Sequence, residues 1–405
     1  MLHPINGTVH PQFELVRTAF SENFSLRGEV GAAVCIFYRG KKVVDLWGGF
    51  TDHHATELWS GNDLTTLFSV TKGIVATCFL MLVDRGIINY TDRIDQYWPE
   101  LTQGSSHEQF KAKRAQMTIA DLLNHRSGLL GFKDELSLDT LGDETELIRR
   151  LESEPLRWPS GSQQGYHGVT FGLYSSVLFK KITGASIGQF LRDDIKSKLD
   201  IDLYLGLTTE EEHTLAPRIR PIFPNQMGDI LSGILPSLLR SHRDGRFFRS
   251  ALKPNSHTAF AFGQPAVLGA KSLKNFNTPK VRQLELPWAN GLGSARGISA
   301  LYNGLLTPNV LVRSETLQSV FSRQSWTDTD AVIRKPMGFS YGFVKEEPNL
   351  FSPNIEAFGH PGAGGALGFA DPKAHLSIGY VMNRMGHQVR SPRALALCHA
   401  IYRCL

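Results

Sequence analysis

Apolar, β-rich runs stand at both ends of this 405-residue chain, and that placement limits the fold more than any other feature. Near the start, "GAAVCIFYRGKKVVDLWGGF" (31–50) holds two such runs around Arg39-Gly40-Lys41, a hairpin signal. Near the end, 339–346, 364–372 and 375–383 read as strands, with Asp371-Pro372 turning between the last two. Between the two ends the period changes. In "KGIVATCFLMLVDRGI", Ile74, Val75, Cys78, Phe79, Leu82 and Val83 recur at helical spacing, and Gly86 follows as a C-cap. Helices are also predicted over 11–24, 171–184, "GISALYNGLL" (297–306) and about 391–404; "MTIADLLNHRSGL" opens another with Thr118 and Asp121 as a variant capping box. The expected architecture is one antiparallel sheet built from both termini, flanked by helices. An α/β subdomain would take about 1–58 and 286–405, and a mainly helical subdomain about 59–285. Within the latter, about 206–285 is rich in Pro, Gly and Arg and reads as a flap-like insertion.

"GASIG" (184–188) is a literal G-x-S-x-G, the pattern of a nucleophile elbow. An elbow needs a buried strand before its serine. Here an amphipathic helix precedes it, so Ser186 reads as the N-cap of the next helix. Ser69-Val70-Thr71-Lys72 stands in a better setting, at the first turn of the long apolar helix. The i, i+3 spacing puts Ser69 and Lys72 on one face. A lysine in a dry site loses its proton more easily and can activate a hydroxyl. S-x-x-K also occurs at Ser250–Lys253, but Pro254 follows and no apolar helix does.

Tyr166-His167-Gly168 precedes a helix, and His360-Pro361-Gly362 stands where a strand is expected to begin. Serine with lysine, then a tyrosine loop, then a basic-x-Gly element on a late strand resembles the penicillin-recognising serine hydrolases. "FSVTKG", "LVDRGIINYTDRIDQYWPEL", "MTIADLLNHRSGL", the W-P-x-G of Trp158–Gly161, "GYHGVTFG", "WANGLGSARGISALYNGLL" and "FGHPGAGG" carry the likeness through most of the chain. Within that superfamily it resembles family VIII carboxylesterases and class C β-lactamases, which implies an α+β β-lactamase/transpeptidase-like fold. The resemblance implies Ser69 as the acyl-accepting nucleophile, with Lys72 and Tyr166 sharing the general-base and general-acid work. Which of the two is the base stays open; a nearby Lys72 ammonium would lower the phenol's pKa. The oxyanion hole would come from the backbone N–H groups of Ser69 and Ala363.

His360, Gly362, Gly364 and Gly168 fall at substrate-binding positions of the resemblance, with Gly365 beside them. His360 replaces the lysine of a Lys-Thr-Gly triplet, Pro361 has no N–H, and Ala363 lacks the expected hydroxyl. Gly168 stands for the usual Asn. These departures weaken the grip on a β-lactam and favour a simple ester, of short to medium chain. β-Lactamase, D-amino-acid peptidase, acyltransferase and a non-catalytic scaffold of the same fold are the alternatives. No role is expected for His167; His125 reads as structural and His53-His54 as an exposed turn. "PIFPNQMGDILSGILPSLL" (221–239) would supply an apolar pocket or a packed surface helix.

Fourteen histidines include no H-E-x-x-H, so no metal is expected, and the chemistry needs no cofactor. The net charge of +5 is scattered, which argues against a nucleic-acid partner and leaves a small-molecule ester as the substrate. Four cysteines match no zinc or redox spacing, and Cys35 and Cys78 lie in apolar runs as free core residues. No stretch approaches a membrane span, and the N-terminus shows no signal-peptide pattern, so a soluble cytoplasmic protein is the expectation.

Overall fold

The computed structural model describes residues 4–103, 108–223, 244–345 and 351–405. Strands β1 (Ile5–Val9), β2 (Gly31–Tyr38), β3 (Lys41–Gly49), β7 (Ser325–Thr327), β8 (Met337–Ser340), β9 (Phe343–Lys345), β10 (Phe358–Pro361), β11 (Leu367–Asp371) and β12 (Leu376–Met382) form one sheet. Its order is β1-β3-β2-β12-β11-β10-β9-β8-β7, and neighbouring strands pair antiparallel. The two ends of the chain meet where β12 pairs β2, from Leu376↔Tyr38 to Met382↔Ala32. The β2–β3 hairpin turns at Arg39 and Gly40, both at positive φ (51° and 74°), the geometry whose twist matches that of the strands. A second, three-stranded sheet orders β4 (Thr65–Thr66), β6 (Leu292–Gly293) and β5 (Leu203–Tyr204).

The helix α1 (Glu14–Leu26) packs with the C-terminal helix Pro392–Tyr402 and against β1 and β3. The helix Ala295–Leu306 covers β12, β2 and β11, while α2 (Val70–Asp84) packs on β10 and β11 and on the helix Thr170–Thr183. Every residue of α2 from Val70 to Leu82 is buried. Such a helix is apolar all round because neighbours enclose it on every side. At Gly368 of β11, a Cβ would lie 2.5 Å from Ile298, 2.8 Å from Tyr302 and 3.3 Å from Val70. Glycine there lets both helices close on one strand.

Several boundaries differ from the sequence expectation. The expected strand 339–346, whose last residue lies outside the described residues, is broken: Tyr341 and Gly342 take φ of 47° and 96°, folding it into the β8–β9 hairpin. His360-Pro361 ends β10 instead of opening a strand. Residues 363–365 form a 3-10 turn before β11, because Gly364 and Gly365 sit at φ of 84° and 132°, outside the strand region. β1 and β7 carry no strong sequence signal. The first helix begins as a 3-10 turn over Pro11–Phe13. The Thr118/Asp121 capping box is present, and Gly184 ends its helix in the left-handed conformation. All four cysteines are free, with Cys35 and Cys78 buried. In the 206–285 region, Thr209–Leu215, Gly245–Ala251, His257–Gly263 and Pro279–Gln283 are helices. The apolar segment 230–239 lies outside the described residues. Among the described residues no helix is long and apolar enough to cross a membrane.

Candidate active site

The chain enters α2 under strong local constraint. β4 pairs β6, Leu67 N–H donates to Gly291 O at 2.8 Å, and Phe68 sits at φ 47°. A bulky residue in the left-handed region is costly and persists only where packing holds it; the buried Phe68 ring meets Phe276 edge-on. Ser69 follows at the N-cap position of α2, yet its side chain makes no capping bond. Its Oγ instead faces two other groups: Lys72 Nζ at 3.2 Å and Tyr166, whose hydroxyl donates to it at 2.9 Å.

Lys72 is wholly buried, and Nζ also donates to the carbonyl oxygens of Gly168 at 2.8 Å and Trp288 at 3.0 Å. Burial holds its pKa well below the ordinary lysine range. Two carbonyls fix the amine so that its third tetrahedral position points at Ser69. In the neutral amine that position is a lone pair, able to accept the serine proton. Tyr166 is 7% exposed, and burial pushes its phenol above its usual value, with the hydrogen bond to Ser69 opposing. The local field is therefore the reverse of the one that would make a phenolate: burial favours the neutral form of both the phenol and the amine.

Tyr166 is placed by its backbone. Gly165 N–H donates to His125 O at 3.1 Å, and His167 N–H donates to His125 Nδ1 at 3.0 Å. Tyr166 N–H donates to Oδ1 of Asp330 at 3.0 Å, and Val332 and Ile333 N–H donate to the same oxygen at 2.9 Å each. Asp330 is fully buried, and Gln164 Nε2 donates to its other oxygen at 3.3 Å. Asp330→Ala would leave three backbone donors unsatisfied and release the loop. Its kcat is expected to fall roughly 10–100-fold with a smaller change in KM, and Asp330→Asn, which keeps the carbonyl acceptor, should recover part of the loss. Steady-state kinetics beside a melting curve checks this; a folded alanine variant with full kcat would remove Asp330 from the positioning of Tyr166.

Ser69 N–H opens α2 and Ala363 N–H opens the 363–365 turn, positions where N–H groups lack intrahelical acceptors. The end of β10 lies against the entry to α2, since a Cβ on Gly362 would sit 2.5 Å from Leu67 O. Gly364 O accepts from Gly386 N–H at 2.7 Å and from Arg393 at 3.0 Å, while Arg393 pairs with buried Glu29 at 2.5 Å. A core ion pair thus anchors the turn that carries Ala363.

His360 is 2% exposed, with Nδ1 2.7 Å from Pro361 O, and burial lowers its pKa to about 3. It stays neutral and brings no cation to a substrate carboxylate. Arg390 places its positive charge where it acts on both Tyr166 and His360. Gly168 has no room for a side chain: its Cβ would lie 2.3 Å from the Phe262 ring of the helix His257–Gly263. That aromatic ring fills the space where a substrate-facing Asn would project. His167 bonds Ser127 and Gly165 O, and burial lowers its pKa to about 3; His125 packs under Tyr166 at 4.8 Å between ring centroids. His53 and His54 are exposed. Asp330, the Trp288 carbonyl, Phe262 and Arg390 escaped the sequence reading. A backbone carbonyl has no sequence signature, and the other three come from segments distant in the chain.

Ser186 caps its helix, accepting from Gln189 N–H at 3.1 Å. Ser186→Ala is expected to retain full turnover and to lose about 1 kcal/mol of stability, read by paired activity and denaturation curves. Loss of turnover without unfolding would contradict this assignment. Ser250 bonds Thr258 at 2.8 Å, and Lys253 is exposed. Among the described residues no group of three or more His, Cys, Asp or Glu could hold a metal ion.

The chain and its fold have parallels in known proteins. The "Esterase/beta-lactamase LipL" of Mycobacterium tuberculosis is 28% identical over 94% of this chain and 83% of its own length. A crystal structure of a family VIII carboxylesterase is 31% identical, covering 99% of this chain and 100% of that one at a TM-score of 0.83. A penicillin-binding protein homologue from Caulobacter crescentus is 29% identical, with coverage of 99% and 100% and a TM-score of 0.79. The Beta-lactamase family profile matches residues 19–400. The chain belongs to the β-lactamase family, with the β-lactamase/transpeptidase-like fold, and stands with that family's carboxylesterase-type serine hydrolases.

Proposed function

We propose that the protein hydrolyses carboxylic esters of short to medium acyl chain through an acyl-enzyme on Ser69. The observation that carries this reading is the closed contact of Ser69 Oγ with Lys72 Nζ and the Tyr166 hydroxyl beside a neutral, buried His360. Lys72 takes the Ser69 proton as Oγ attacks the ester carbonyl. The Ser69 and Ala363 N–H groups receive the oxyanion. Tyr166 then gives its hydrogen-bonded proton to the departing alkoxide and is resupplied from the Lys72 ammonium. Water repeats the sequence in the opposite sense and frees the acid.

Three features support an ester over a lactam. His360 lacks charge, Pro361 lacks an N–H, and Phe262 occupies the space beside Gly168. The Phe262 ring, 6.4 Å from the Tyr166 ring, gives the site an apolar neighbour suited to an uncharged acyl or alcohol group. The test is a comparison of p-nitrophenyl butyrate with a chromogenic cephalosporin on the purified chain. Ester turnover should exceed lactam turnover by about 100-fold or more in kcat/KM, the weight of two or more lost polar contacts. Equal or better turnover of the cephalosporin would replace the ester reading by the β-lactamase one.

A further inference from the structure

His125 lies just past the helix Ile119–Leu123, wholly buried, with its backbone held at φ 59°. A non-glycine residue in the left-handed region costs free energy and persists only where its surroundings over-determine it. Histidine is enriched there, together with Asn and Asp. Here the strained residue serves the tyrosine loop. Three consecutive N–H groups of that loop are gripped from two sides. Gly165 N–H donates to His125 O at 3.1 Å and His167 N–H donates to His125 Nδ1 at 3.0 Å, while Tyr166 N–H, between them, donates to Asp330 at 3.0 Å. The imidazole also packs on the side chain it brackets. Its ring centroid lies 4.8 Å from that of Tyr166, 5.0 Å from Phe171 and 4.3 Å from Phe339.

These bonds fix both ring tautomers. Nδ1 of His125 accepts from an N–H, so the proton of the neutral ring is on Nε2. In His167, Nδ1 lies 2.6 Å from Gly165 O, and a carbonyl only accepts, so Nδ1 carries the proton. Its Nε2 then accepts from the Ser127 hydroxyl at 3.0 Å, a second link between the two segments. Burial lowers both pKa values, that of His167 to about 3. Neither ring therefore adds a positive charge that would draw the proton from the phenol. The Tyr166 hydroxyl, at the far end of its ring, must meet Ser69 Oγ at 2.9 Å. A misplacement of about 1 Å at reacting atoms costs on the order of 100-fold in rate.

We propose that His125 is a positioning residue for the ester reaction: its carbonyl and its imidazole Nδ1 hold Gly165 and His167 so that the Tyr166 hydroxyl between them meets Ser69. This rests on the reading of Tyr166 as the proton carrier of the ester site, and the test separates the two. The measurement is steady-state hydrolysis of p-nitrophenyl butyrate by single and double variants, each with a melting curve. His125→Phe keeps an aromatic ring and removes the Nδ1 acceptor; kcat should fall roughly 10–100-fold, with KM changed by less than about threefold. His125→Asn tolerates the left-handed backbone and offers Oδ1 as many bonds from the chain as Nδ1, so it should recover most of the loss. His125→Gln carries its amide one bond further out and should lose activity as His125→Phe does, which covers the case in which His125→Phe does not fold. Tyr166→Phe alone should cost about 10²- to 10⁴-fold in kcat. A purely structural role would add its own loss to that one. In the Tyr166→Phe background His125→Gln should instead change kcat by less than about twofold, since no hydroxyl is left to position. Nitrogen-15 spectra of the wild-type chain should show the His125 proton on Nε2, and a proton on Nδ1 would overturn the proposal whatever the variants do. So would full kcat in folded His125→Phe or His125→Gln, no gain in folded His125→Asn, or additive losses in the double variant, each beside a slow Tyr166→Phe. Full turnover in Tyr166→Phe would instead remove the reading beneath the proposal.

Discussion

Ser69→Ala is expected to lower p-nitrophenyl butyrate hydrolysis by roughly 10³- to 10⁶-fold, the range lost when a serine nucleophile is removed from a working set. The fold should survive, because Ser69 Oγ caps nothing and its contacts are the two catalytic candidates. A residual rate above water would come from the N–H pair and from binding. Mass spectrometry separates loss of chemistry from loss of structure. Quenched wild type should carry one acyl group on the peptide containing Ser69, and the alanine variant none. Equal turnover by both proteins would end the serine-esterase mechanism while leaving the family assignment in place.

Lys72→Met should cost about 10²- to 10⁴-fold in kcat, the usual worth of a positioned general base, and Lys72→Arg should not restore it, because a guanidinium stays protonated. The pH dependence follows from burial. Wild-type kcat/KM should rise as pH increases through the depressed Lys72 pKa, since the neutral amine is the active form. Stability has the same sign. Between the folded-state pKa and the unfolded value of about 10.4, the unfolded chain binds one more proton at this position. Protonation there favours unfolding, so stability increases with pH across that window. Lys72→Met removes that slope and should be the more stable protein at neutral pH. Denaturation midpoints at several pH values test this. A slope unchanged by the substitution would mean that Lys72 keeps its proton in the folded state.

Local sequence was a good guide wherever one segment decides the outcome. The hairpin at Arg39-Gly40, the capping box at Thr118, the left-handed end at Gly184 and the Ser186 cap depend on a few adjacent residues. It was a poor guide to strand limits after residue 336, where Tyr341-Gly342 and Gly364-Gly365 leave the extended region to bring β8 back along β9 and to aim a turn at α2. Apolar spacing at α2 indicated a helix, but not one enclosed on all sides.

The sequence alone indicated that both chain ends contribute to one antiparallel sheet, and its motif order resembled a serine-hydrolase pattern with Ser69, Lys72 and Tyr166 at the matching positions. Alternation, helical spacing and motif order are properties of the chain itself. Only the tertiary structure decided the electrostatics of that set. The Gly168 and Trp288 carbonyls point Nζ at Ser69, and Asp330 grips the Tyr166 backbone. Burial then drives the lysine and the tyrosine pKa values in opposite directions. The physical reason is that a pKa depends on desolvation and on partners brought together from distant segments, and neither is encoded near the group that titrates.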